Sequence, residues 1–470
     1  MKKVIKPEIL ASFFVFLVLV AIVFATDTTG DSGDSIMHYL YSRYAFKYPA
    51  FFLNHWAKPV FVLFTAPFSQ FGFKGIMVFN AICATITALY SFYTAKNLAI
   101  KNPWLVFIFI FFAPLYFKLI FSGLTEYMFG LFLIMGIYMV TKSNHISALI
   151  IISFLPLIRS EGLIVVVLFF LYYILRRKYK ILSYILSGQL VYTIAGAFYY
   201  KDILWVFTKI PYNNLGSPYG SGQLFDFVHR MNYVIEKPIY FLLFLGSLSL
   251  LYTLIRFGLR KNNDIKIILI YGTFATVFLS HTLFWWLGIF NSMGLPRVLI
   301  PLVPVIALIS LEGVQILYSQ FKNGLLKGTL IAVIVLTVAL YPFSHRQQGV
   351  VFNKELFLLE ENRIIDQEIL PFLKEDFPDY GSRLYYFSHP YLSLALGIDY
   401  FDAKSHLRIQ NLASGQMFSG AIIIWDNWYG PIEDGINRDF FTNDNRFILL
   451  KSFQKQLESR NIEYAVYLVK

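Results

Sequence analysis

Ser122-Gly123-Leu124-Thr125-Glu126 lies in the middle of an apolar stretch that starts after Lys101 and ends before Lys142. That stretch is about twice what one bilayer crossing needs, since about 20 residues rising 1.5 Å each cover the hydrocarbon. Short cytoplasmic loops collect Lys and Arg, so both ends belong on the cytoplasmic side. The chain is therefore expected to rise, turn at these five residues and return. Residues 145–175 read the same way. They run from Lys142 to Arg176-Arg177-Lys178, with Arg159-Ser160-Glu161-Gly162 at the turn.

Composition agrees with a chain built for lipid. Hydrophobic residues make up 57% and charged residues 14%, where a soluble domain carries roughly 25% charged residues. Eleven spans are expected: 8–26, 75–95, 103–120, 124–141, 145–158, 161–175, 181–200, 238–256, 265–288, 297–317 and 327–343. The span 145–158 is short, which calls for a thinned membrane or a helix that stops in a cavity. Lys2, Lys3, Lys6, Lys96, Lys101, Lys142, Arg176 to Lys180, Arg256 to Lys266, Lys322 and Lys327 then all fall inside. This places the N-terminus in the cytoplasm and the C-terminus outside. The first span is followed by an acidic loop rather than by a small-residue cleavage site, so it reads as a retained helix.

The formal charge of +12 is not a nucleic-acid signature. Its excess sits in the short cytoplasmic loops, whereas residues 345–470 hold 13 Lys and Arg against 17 Asp and Glu. The single cysteine, Cys83, lies in an apolar helix, so no disulfide framework or thiol metal site is expected. The fold class is thus an all-α polytopic membrane domain, residues 1–344 with outer loops 27–74 and 201–237, followed by a small extracytoplasmic α/β domain, residues 345–470. In the latter, Leu384–Phe387, Ala421–Trp425, Phe447–Leu450 and Tyr464–Val469 read as strands, and Glu355–Phe372 and Lys451–Asn461 as helices.

Acids at the edge of a bilayer are costly to keep. Eleven precede residue 345, and Asp27, Asp31, Asp34, Glu126, Glu161, Asp202, Asp226 and Glu236 map to the outer side, against Glu8, Asp264 and Glu312 inside. In the first outer loop a helix over 34–47 would put Asp34 and His38 on one face. Asp31 or Asp34 could equally serve only as a helix cap, and the run lacks the spacing of an EF-hand. Glu126 and the Arg159-Ser160-Glu161 turn share that membrane side, where Arg159 and Glu161 also suit a structural ion pair. His281, Trp285-Trp286 and Arg297 follow; Arg297 can hold a phosphate bidentately or snorkel to headgroups. His281 alone reads as a satisfied helix histidine, and the tryptophan pair as an interfacial belt. No Gly-rich phosphate loop, Gly-x-Ser-x-Gly elbow or His-Glu-x-x-His zinc motif is present.

Three features then carry a family resemblance: Gly33-Asp34-Ser35 with His38-Tyr39, Thr125-Glu126 at a later outer turn, and Arg297 ahead of Pro301–Pro304. Together with Asn54–Pro59 and Pro67–Gly72, the chain resembles a bacterial family C glycosyltransferase (GT-C) over about residues 8–320. The resemblance implies a polyprenyl-phosphate sugar as donor, with mannose as one candidate sugar, and an envelope glycan, lipid or protein as acceptor. It implies the inner membrane of a bacterium, membrane lipids as partners and no nucleic acid. Asp34 matches the family's acid, with Asp31 beside it, and Glu126 completes the catalytic candidates. Arg297, Arg159, Glu161, His38, His281 and Lys58 are the substrate-binding candidates. The resemblance fixes no cofactor, and it leaves a divalent cation at Asp34 open. The Trp425–Tyr429 run reads either as a sugar-stacking surface or as a strand end and turn.

Rival readings are a transporter or flippase of lipid-linked saccharides, a polysaccharide polymerase or ligase, and a non-catalytic envelope scaffold. Transporters place polar sites near the midplane and often carry internal repeats, whereas here the acids gather at one surface.

Overall fold

Proline sets where the apolar helices begin and break. Pro7, Pro59, Pro114 and Pro296 each open a helix, where a missing N–H costs nothing. Pro114 also divides the 103–120 stretch into Leu105–Phe111 and Pro114–Ile120, because a proline ring clashes with a continuous helix. Near the start of the 32-residue helix Asp226–Phe257, Glu236 leaves the helical region (φ 58°) two residues before Pro238, and the helix kinks there.

The computed structural model describes residues 6–211, 216–260, 263–344, 358–457 and 460–470. They form two compact units: Met1–Thr26 with Tyr41–Leu356, and Asp27–Leu40 with Phe357–Lys470. The loop segment Asp27–Leu40, expected from sequence to stay with the membrane part, thus belongs with the C-terminal residues.

Among the described residues of the first unit, seven helices are long and apolar enough to cross a membrane: Pro7–Ala25, Phe73–Asn97, Tyr179–Tyr200, Asp226–Phe257, Ile265–Leu287, Pro296–Ser319 and Gly324–Phe343. Glu126–Thr141, His145–Ile158 and Gly162–Leu175 are shorter apolar helices. The chain breaks between helices at 121–125 and 159–161, the two places that the charge pattern assigns to turns. Pro59–Ser69, inside a stretch expected as loop, is a further short apolar helix. Close packing is made with glycine: a Cβ at Gly246 would overlap the Ile309 carbonyl, and one at Gly313 would overlap that of Leu242. Helices Asp226–Phe257 and Val303–Ser319 therefore meet backbone to backbone.

The second unit is built on a five-stranded sheet: β1 (Tyr385–Phe387), β2 (His406–Leu407), β3 (Ile422–Asp426), β4 (Phe447–Gln456) and β5 (Asn461–Val469), in the order β2-β1-β3-β5-β4. β1 runs parallel to β2 and β3, while β5 pairs antiparallel with β3 and β4. Tyr386, Ile423, Trp425, Phe441 and Tyr467 form much of its apolar core. Residues Glu360–Asp376 are helical, where Glu355–Phe372 is expected; residues 355–357 lie outside the described residues.

One element is corrected. From sequence alone Lys451–Asn461 is expected as a helix; in the structure Lys451–Gln456 is the second half of β4, and Asn461 opens β5. Ser452 faces Ala465 and Phe453 faces Tyr464 across the hairpin, and the Phe453 ring packs 6.0 Å from Phe372. A register shift between Leu449 and Lys451 interrupts the alternation that marks a strand. Cross-strand pairing then overrides the local preference of Lys and Gln.

Candidate active site

Asn80 is a buried amide in an apolar helix, and it fixes the first turn. Its side chain donates to the carbonyls of Ser122 (2.7 Å) and Leu124 (3.1 Å). Ser122 donates its hydroxyl to the Leu119 carbonyl and accepts from the Leu124 amide. The next helix then starts at Glu126, where a carboxylate suits the helix dipole. Glu126 is 1% exposed, so its charge needs a partner.

Arg159 supplies it from the second turn. One guanidinium nitrogen lies 2.7 Å from Glu126 Oε1 and donates to Thr125 Oγ1 at 3.0 Å, while Nε donates to Glu161. Arg297 Nε lies 4.0 Å from the same Glu126 oxygen. His281 Nε2 lies 4.0 Å from Glu161 Oε1. Lys58 is buried with φ 68°, and its ammonium donates to Ser160 Oγ at 3.2 Å. Within this group two guanidiniums face two carboxylates, and the Lys58 ammonium joins the second turn through Ser160. Six residues singled out from sequence (Lys58, Glu126, Arg159, Glu161, His281 and Arg297) are therefore brought together. Asn80 and Ser160 were missed as contributors; a polar amide inside an apolar helix was the available signal for Asn80. Beside Lys58, His55 packs 4.9 Å from the Trp205 ring. Burial first, and then Lys58, hold His55 down at about 4.

The remaining sequence candidates lie in the second unit. Asp31 Oδ1 accepts from the Gly33 amide (3.0 Å) and the Ser35 amide (2.9 Å), so its carboxylate holds the turn that leads into the helix. Asp34 opens helix Asp34–Tyr44, half-buried, with buried His38 one turn on. Thr29 Oγ1 donates to the Asp31 carbonyl at 2.7 Å and accepts from Asn362 at 3.2 Å. The Ser32 and Tyr429 hydroxyls are 3.3 Å apart. Tyr429 and Trp428 both donate their amides to Asp426 Oδ1, at 2.6 and 3.0 Å. Burial, opposed by those two amides, raises Asp426 to about 7.

Other acids that the charge pattern assigns to the outer side have structural work. Asp202 accepts from the Leu204 amide and the Thr208 hydroxyl. Asp226 accepts from Trp285 Nε1 at 2.7 Å and the Gln223 amide at 2.9 Å. In the Trp425–Tyr429 run, Trp425 is a core residue that donates to the Ile436 carbonyl, and Trp428 is exposed. Among the described residues no group of three or more His, Cys, Asp or Glu could hold a metal ion.

No family model and no curated protein matches the sequence. Among solved structures, the chain matches ArnT from Cupriavidus metallidurans, determined bound to undecaprenyl phosphate, with a TM-score of 0.61, 11% identity and 97% of each chain covered. The chain therefore has the ArnT fold along nearly its whole length.

Two outcomes are expected. Glu126→Gln leaves the guanidiniums short of a buried counter-charge and destabilises the protein by about 3–5 kcal/mol, whereas Glu126→Gln with Arg159→Met recovers much of the loss. Thermal melts in detergent measure both. Asp426, an acid with a raised folded pKa, contributes stability that is complete below 3.8 and lost as pH rises to about 7. Melts across pH should therefore show Asp426→Asn gaining on the native protein between those values and holding level above them.

Proposed function

We propose that the protein is a membrane glycosyltransferase that moves a sugar from a polyprenyl-phosphate donor to an acceptor hydroxyl. The observation that carries this reading is the convergence of Lys58, Arg159 and Arg297 at two helix-breaking turns, in a chain with the ArnT fold. Support also comes from the first-loop acid that the GT-C resemblance singles out.

A lipid-phosphate sugar is already activated at its anomeric carbon, so the protein has two tasks. It must remove a proton from the acceptor, and it must stabilise charge on the departing phosphate. In the proposed step Asp34 takes the acceptor proton while the acceptor oxygen bonds to the anomeric carbon. The bond to the phosphate oxygen breaks, and the phosphate leaves with the electron pair, held by Arg297 and Arg159. A single displacement inverts the anomeric centre. Asp31, with one oxygen on two amides, serves the loop rather than the proton transfer. Glu126 aligns the two guanidiniums, Glu161 and His281 buttress Arg159, and Lys58 adds a third phosphate contact. His38 orients Asp34 from the next helical turn. A hexose such as mannose, an envelope glycan, lipid or protein acceptor, and an extracytoplasmic site in a bacterial inner membrane complete the reading.

A transfer assay in membranes with a labelled polyprenyl-phosphate sugar tests it. Asp34→Asn should lower turnover about 100-fold or more with the protein still folded and inserted. Turnover like the native protein's by that variant would remove Asp34 from the mechanism.

A further inference from the structure

Ser32-Gly33-Asp34 is held by a residue nearly four hundred positions away. A Cβ added at Gly33 would lie 2.7 Å from the Tyr429 hydroxyl oxygen but 3.7 and 3.8 Å from the ring carbons Cζ and Cε1. Glycine is thus required here by the phenol oxygen alone, because Gly33 is not among the glycines with positive φ. The same oxygen sits 3.3 Å from Ser32 Oγ. Tyr429 is itself fixed on three sides. Its amide donates to buried Asp426, its ring stands edge-on to His389 at 4.6 Å, and Trp428 packs against it at 4.5 Å. A hydroxyl anchored this firmly against a residue without a side chain sets where the following residue starts. That residue is Asp34, and the Gly33 carbonyl accepts the amides of Ile36 and Met37 to begin its helix.

We propose that Tyr429 is a positioning residue for the acid of the first loop: its hydroxyl, seated against Gly33 and bonded to Ser32, sets the placement of the Asp34 carboxylate. Rigid placement matters because a reacting group displaced by about 1 Å can lose about 100-fold in rate. Tyr429 touches the loop and not the reacting atoms, so it acts through Asp34 and rests on the assignment of Asp34 as base.

Steady-state transfer by the full-length protein, with labelled polyprenyl-phosphate sugar, tests this in four variants. Tyr429→Phe keeps the ring and loses the hydroxyl; it should lower kcat about five-fold and leave the donor KM unchanged. Gly33→Ala should lower kcat about 100-fold, since its methyl meets the phenol oxygen. Combining Gly33→Ala with Tyr429→Phe removes that oxygen and should restore kcat to the level of Tyr429→Phe alone, with the melting temperature recovering in parallel. A double variant no faster than Gly33→Ala overturns the inference, as does native kcat in either single variant. Asp34→Asn is the control that separates the two ideas. Native turnover there sinks the base assignment and this inference with it, whereas an inactive Asp34→Asn beside normal Tyr429 and Gly33 variants sinks the positioning role alone.

Discussion

A carboxylate that is 1% exposed, Glu126, holds two turns of the chain together through Arg159. Each turn alone is a weak device: a few small or polar residues at the end of an apolar helix. Placed together they share charges, and the charges in turn require the placement. Removing two ions from water is costly, and their attraction offsets it only where geometry is good and further hydrogen bonds satisfy the remaining atoms. Thr125, Glu161 and Arg297 supply that second ring of partners. Asn80, by gripping two carbonyls of the first turn, keeps Glu126 where the pair can form. The same grouping that keeps the helices in register brings cations of the kind that suit a phosphate.

Much of this was legible because charge inside an apolar sequence is expensive. Lys101 and Lys142 flank a stretch too long to cross once, which located the turn at Ser122–Glu126 from composition alone. The same logic found Arg159-Ser160-Glu161, and the structure joins the two turns. Sequence did not reveal which acids are structural. Asp31, Asp202 and Asp226 read like Asp34 until their amide and indole partners are seen. Lys451–Gln456 failed for another reason. Its partner β5 lies across a hairpin with a register shift, and no local pattern encodes that.

Non-local partnership also explains why residues 27–40 were assigned by chain order to the membrane part. Thr29 meets Asn362 and Ser32 meets Tyr429, pairs separated by over three hundred residues. A tyrosine within an aromatic run suggests sugar stacking; only its distance to Gly33 shows a steric role. The small C-terminal sheet, with Asp426 at the end of β3, thereby takes part in shaping the loop that bears Asp34.

The central claim is that the paired guanidiniums serve a lipid phosphate as well as the fold, and binding measures it without turnover. Purified protein in detergent should bind undecaprenyl phosphate, and Arg297→Ala should weaken that affinity about 10-fold or more, the loss expected for a charge-assisted contact. Unchanged affinity in a folded Arg297→Ala protein would contradict the account.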